Sequence, residues 1–393
     1  MTASSQLDRS GTRPIQPIAT AGVAAAMAIG TMGVMIAGVQ PVLFGALLSA
    51  GRITATQIGH IAAAELIAIG IGVVIAEAAL ERAPVWLVAA VSLVLLATLN
   101  LATIAVDGNG VLLVRALAGL PAGALVWTTT AVIVRSPRPT QLSAAFLLTQ
   151  AILQFATSTG LALVAPQARD GVPITIACLC AAMLIFVPLL PRRFMPLPKE
   201  AEQVSGLPPL RGWVVLLACL LIQGCIVGAW VYFEPLGRQA GMTPAQLAFA
   251  VPASLGAQVT GGIAAILLSK RVPWFASLVL ASTALAALLL VLSLPPGATI
   301  FFALETVFGA LWIFVTPFLT PLSIENDPTR RTALLVPSAV LIGSGLGPLA
   351  ASALASEHDA ARVLRLCALL AIIATALIVA LQVVPRNAEP DIF

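Results

Sequence analysis

Residues 191–211 read PRRFMPLPKEAEQVSGLPPLR, the longest polar interruption in an otherwise apolar chain of 393 residues. Prolines and charges at this density neither continue a helix nor bury a face. The stretch therefore reads as a solvated strap between two membrane-embedded halves, residues 18–190 and 212–385. Arg192, Arg193, Lys199 and Arg211 lie in it, and the positive-inside rule places such a segment in the cytoplasm.

The composition agrees with that reading. Hydrophobic residues make up 60% of the chain and charged residues only 9%, too little polarity to coat a soluble fold. The fold class expected is all-α integral membrane, and the slight positive charge speaks for topology and not for nucleic acid. Arg9 and Arg13 precede an apolar run from Ile18 to Ala50. A signal-peptide core is about 7–15 residues, so the run reads as a first span that stays attached. Cys178, Cys180, Cys219, Cys225 and Cys367 all fall in apolar runs, and His60 and His358 are in different segments. No metal site and no cofactor follow from them.

Apolar windows of about 20 residues give twelve spans: 20–47, 55–79, 85–106, 110–134, 142–165, 173–190, 212–235, 245–268, 274–294, 298–323, 332–355 and 362–384. With the N-terminus inside, 14 of the 20 basic residues fall in cytoplasmic segments and 5 outside, with Arg115 alone within a span. Twelve spans with cytoplasmic tails at 1–17 and 386–393 satisfy that segregation, in a plasma (inner) membrane. The halves are also related. A shift of 189 carries Thr54, Gln57, Gly72, Arg82 and Pro84 onto Thr243, Gln246, Gly261, Arg271 and Pro273. A shift of 190 carries Arg115 onto Glu305 and Gly119 onto Gly309. The expectation is two pseudo-symmetric six-helix bundles.

This architecture resembles the major facilitator superfamily of secondary transporters over essentially the whole chain. Arg115-x-x-x-Gly119-x-x-x-Gly123 is similar to the fourth-span motif of its proton-coupled members. The family's Gly-x-x-x-Asp-Arg loop has an imperfect counterpart in Gly72-Val-Val-Ile-Ala-Glu77, followed by Glu81-Arg82. The antiporter string Gly-x-x-x-Gly-Pro is absent from the fifth span and stands in the eleventh, as Gly343-x-x-x-Gly347-Pro348. The resemblance implies a monomer with a central cavity, opened to each side in turn by rocking of the two bundles.

Charges inside a span cost about 2.5–3.5 kcal/mol each on insertion scales. Arg115 lies about 8 Å from the outer surface by helical rise, and its glycines at i+4 and i+8 favour a packed face over snorkelling. Glu65 lies near the midplane, where an unpaired carboxylate can hold a proton and release it when water arrives. It is the expected main proton carrier. Glu305 is the third candidate for proton coupling. Arg115 has two candidate partners, Glu305 across the cavity or Glu65 within its own half.

Polar or aromatic residues at Gln40, Trp127, Gln150, Gln154, Gln223, Trp230, Glu234, Gln258 and Trp312 are the candidate solute contacts. Glu234 also fits an interfacial place beside Tyr232, and a single glutamine can serve as interhelical glue. Together with Glu65, Arg115 and Glu305, these side chains fall on spans 1, 2, 4, 5, 7, 8 and 10, which the resemblance places around the cavity. Spans 3, 6, 9 and 12 carry almost none in mid-span. Excess glutamate over arginine favours a cationic or neutral amphipathic solute and, slightly, export against protons. Uptake of an organic carboxylate bound at Arg115 is the second reading. An embedded enzyme lacks paired histidines, a nucleophile turn or a carboxylate cluster. A channel fits a two-unit repeat poorly, and no phosphate-binding loop exists for ATP.

Overall fold

The computed structural model describes residues 20–80, 83–136, 139–164, 170–192, 207–268, 271–294, 296–327, 331–355 and 361–383. The expected tails, residues 193–206 of the strap, and Arg82 lie outside the described residues. Helices α1 (Thr20–Ser49), α2 (Ala55–Leu80), α3 (Val85–Ala102), α4 (Asn109–Val134), α5 (Pro139–Val164) and α6 (Gly171–Met183) precede the strap. After it come α7 (Leu210–Trp230), the short α8 (Phe233–Gln239), α9 (Pro244–Leu268), α10 (Trp274–Ser293), α11 (Ala298–Val315), α12 (Leu319–Asn326), α13 (Arg331–Ser352) and α14 (Ala361–Val383). Among the described residues, twelve helical segments are long and apolar enough to cross a membrane.

The seventh and tenth spans are not the single helices expected. The seventh breaks at Val231–Tyr232 and restarts as α8. The tenth passes through a 3-10 turn at Thr316–Phe318 before α12. Pro317 accounts for the second break, because it removes the N–H that would continue the α-helix.

The repeat is visible in hydrogen bonds. Thr54 N–H donates to Gln57 Oε1 (3.0 Å) and Gln57 N–H to Thr54 Oγ1 (3.3 Å). Thr243 and Gln246 do the same at 2.9 and 3.2 Å. Both are capping boxes, which satisfy N–H groups that a helix start leaves orphaned. The turns ahead of them use Gly51 (φ 70°) and Gly241 (φ 79°), a left-handed conformation that glycine adopts without strain.

Packing repeats as well. A Cβ on Gly72 or Gly119 would strike the backbone of Leu120 or Glu65, so α2 and α4 cross in close contact. In the second half Gly261 and Gly309 meet the backbone of Ala310 and Ser254 in the same way, crossing α9 with α11. In lipid, where apolar surface alone does not drive association, such small-residue crossings supply dispersion contact.

The halves meet through α2 with α13, α5 with α9, and α1 with α8 and α9. Among the described residues these contacts lie from mid-bundle to the end opposite the strap. Gly59 sits against the Pro348 carbonyl, Gly345 against Ile67, and Gly256 against the Phe155 ring. Thr56 Oγ1 reaches the Ala355 carbonyl at 3.5 Å.

Candidate functional site

Two buried polar groups emerge, one in each half. In the first half, Arg115 is fully buried (0% exposed) and pairs through Nη2 with Glu65 Oε1 on α2 (1% exposed). Its Nη1 donates to Asn100 Oδ1 on α3 at 2.9 Å. The Asn100 amide is itself anchored to the Leu96 carbonyl at 2.8 Å. Gln40 on α1 flanks the Glu65 carboxyl. Both its amide atoms, Glu65 Oε2 and Arg115 Nε are buried without a hydrogen-bond partner.

Of the two partners expected for Arg115, the structure selects Glu65. The glycine face of α4 explains the choice. Gly119 and Gly123 lie against the backbone of α2 from Glu65 to Val73, which brings Glu65 within reach of the arginine one turn earlier. The cross-cavity pair Arg115–Glu305 is not formed. Full burial also excludes snorkelling to the membrane surface.

In the second half, Glu305 on α11 is 1% exposed. Its helical face carries Phe301, Phe308 and Trp312, all in one cluster with Trp230 and Phe233. Ring centroids are 5.5 Å apart for Trp230–Trp312, 4.7 Å for Phe233–Phe308 and 6.2 Å for Phe233–Phe301. Edge-to-face packing of this kind favours a fixed geometry.

The break between α7 and α8 ties this cluster to the first half. Trp230 Nε1 donates to the Ala37 carbonyl on α1 at 2.8 Å. That carbonyl is four residues before Pro41, inside the same helix, so its helical donor is missing. The indole from the other half supplies it. Gly59 N–H donates to the Tyr232 hydroxyl oxygen at 3.1 Å. Glu234 lies against Gly45, where a Cβ would collide with its carboxylate. Its Oε1 holds Arg238 (2.6 Å to Nε), its Oε2 has no partner, and the side chain is only 9% exposed. Glu234 is thus part of the contact between halves and not an interfacial anchor.

The other candidates divide. Gln154 Nε2 donates to the Val34 carbonyl at 2.8 Å and packs on Gly38, holding α5 to α1. Gln223 and Gln258 are buried on α7 and α9, and Gln150 is half-buried on α5. Trp127 does not join them. It continues the glycine face of α4, so it packs with Ala76, Val88 and Ala131 between α2 and α3. Its Nε1 donates to Glu77 Oε2.

Asn100, Tyr232, Phe233, Phe301 and Phe308 complete these groups without having been singled out in the sequence. Tyr232 is the chain's one tyrosine, and Asn100 is the one side-chain amide in its span. Both were available as signals. A further cluster at the end opposite the strap joins three loops: Arg52 binds Asp107 (2.7 Å), Asp170 (3.4 Å), and the Thr103 and Val106 carbonyls. It borders a cavity of about 280 Å³ and reads as a staple of the first bundle. Among the described residues no group of His, Cys, Asp or Glu could hold a metal ion.

The fold is shared with solved structures of membrane transporters. The chain is similar to the crystal structure of the nucleoside transporter NupG, with a TM-score of 0.70 and 12% identity over 93% of this chain and 100% of that one. A point mutant of NupG gives 0.73 at 12% identity, over 91% and 99%. A bacterial homolog to the human lysosomal transporter Spinster, inward-facing and unoccupied, gives 0.69 at 12% identity, over 95% and 98%. No protein-family model matches the chain, and no curated protein matches it.

Proposed function

We propose that the chain is a proton-coupled secondary transporter of small organic solutes working by alternating access. The carrying observation is that the contacts between its pseudo-symmetric halves lie from mid-bundle to one end, with carboxylates and amides buried at mid-depth. Rocking about that seam would close one end while opening the other. The structural neighbours are a nucleoside transporter and a bacterial homolog of a lysosomal transporter, which supports the same reading.

Charge distribution inside the bundle favours a cationic or neutral amphipathic solute, and with it export against protons. Arg115 is committed to Glu65 and Asn100. An anionic solute would have to displace a buried carboxylate to reach it, so uptake of an organic carboxylate is the weaker reading. The test is flux in proteoliposomes under an imposed pH gradient, across a panel of organic solutes. At least one solute should move against its own gradient. No pH-linked movement of any solute would remove the reading.

The excess of basic residues supports a cytoplasmic strap and cytoplasmic tails in a plasma membrane, and on that reading the halves close on the outer side. A single cysteine introduced at residue 204 is expected to react with a membrane-impermeant thiol reagent only after the cells are opened. Labelling in intact cells would reverse the topology.

A further inference from the structure

In the interior of the second half, Glu305 forms no ion pair among the described residues. Glu305 is all but fully buried, and the cations on the elements around it, Arg211 and Arg238, are held by other groups. Helices α1, α9 and α10 contain no Asp, Glu, Lys, Arg or His, and α11 contains only Glu305 itself. Arg211, the one charge on α7, is at the strap end and is held by Asn326 and the Leu381 carbonyl. The acidic group on α8 is Glu234, a like charge. Arg238 is bound to Glu234 Oε1.

The internal repeat shows how this differs from the first half. A shift of 190 places Glu305 where Arg115 stands, and a shift of 189 places Ser254 where Glu65 stands. In the first half those positions form an ion pair. In the second, the Ser254 hydroxyl donates to the Glu305 main-chain carbonyl at 3.1 Å, and neither residue is a cation. On α8, Glu234 Oε2 is buried and has no hydrogen-bond partner. A carboxyl buried beside aromatic rings with no cation set against it is favoured as the neutral acid over the charged form.

We propose that Glu305 is the proton-binding residue of this chain, protonated while the halves are closed on the end opposite the strap. The proposal rests on the proton-coupled reading above and moves the carrier from Glu65 to Glu305. Only an O–H bond forms and breaks: the carboxylate takes a proton from water at one opening and returns it to water at the other. Opening the closed end lifts Glu234 off Gly45 and admits water between α8 and α11. Glu65 remains bound to Arg115 throughout and positions α2 against α4.

The experiment is infrared difference spectroscopy on the full chain in lipid nanodiscs, between alkaline and acidic buffer, with flux measured on the same proteins in proteoliposomes. The parent should show a protonated-carboxyl stretch that Glu305→Gln removes and Glu65→Gln retains. Glutamine copies the shape and neutrality of the protonated acid, so the variant should fold. Glu305→Asp is a second check and should keep the band at a shifted position. Glu305→Gln should keep solute exchange and lose gradient-driven accumulation to the level of protein-free vesicles. A band that survives Glu305→Gln overturns the proposal. So does coupled flux at the parental level in that variant, which would leave the transporter reading intact. Loss of the band with no pH-linked flux in any protein upholds the proton site and removes the transporter reading instead.

Discussion

Replacing Arg115 with glutamine is expected to destabilise the protein by about 3–5 kcal/mol, and replacing Glu65 with glutamine by a similar amount. Each change strands one charge in a site where the partner is buried and no water reaches. Making both changes together should recover most of the loss. A neutral pair has no uncompensated charge, and the ion pair itself contributes little net stability after desolvation. Asn100 sharpens the asymmetry between the two single variants. With Glu65→Gln the guanidinium still has the Asn100 carbonyl oxygen, whereas with Arg115→Gln the carboxylate has only the Gln40 amide beside it. Thermal unfolding in detergent and a double-mutant cycle measure the coupling. Glu305→Gln should add to Arg115→Gln without interaction. Coupling between 115 and 305 that exceeds coupling between 115 and 65 would refute the pairing.

Local chemistry in the sequence reached a long way into this fold. Thr54 with Gln57 and Thr243 with Gln246 marked helix starts because a capping box needs only residues three apart. The glycines at 72 and 261 marked equivalent crossings for the same reason: a missing side chain is visible in the letters. What the letters lacked was the identity of the facing helix. Arg115, Gly119, Gly123 and Trp127 share one face of α4, and periodicity says so. That this face meets α2, and not the opposite bundle, is a tertiary fact. It decided both the partner of Arg115 and the burial of Trp127. The break at Val231–Tyr232 was hidden for a related reason. Pro235, four residues on, leaves the Val231 carbonyl without its helical donor, but the turn is also held by contacts of Trp230 and Tyr232 with the other half, which the letters do not show.

Joining Thr56 to Ala355 by a disulfide is expected to abolish transport, with recovery on reduction. The two residues start α2 and follow α13, and Thr56 Oγ1 already lies 3.5 Å from the Ala355 carbonyl. A few residues further in, Gly59 has no room for a Cβ against the Pro348 carbonyl. The same end is held by the indole of Trp230 on the carbonyl that Pro41 leaves free, and by Tyr232 on Gly59. None of these contacts is costly to break alone. Opened together, they expose Ala37 and Gly59 to water, which can replace the lost hydrogen bonds. The closure is therefore built to come apart, and a covalent link across it removes one of the two states that alternating access requires. The proteins to compare are Thr56→Cys with Ala355→Cys and each single change, in a background where the five native cysteines are replaced. Oxidised, the double variant should fall to the flux of empty vesicles, while both single variants stay near the parent. Reductant should restore it. Full flux in a protein shown to be cross-linked would mean that this end never opens, and the seam would be a fixed interface instead of a gate.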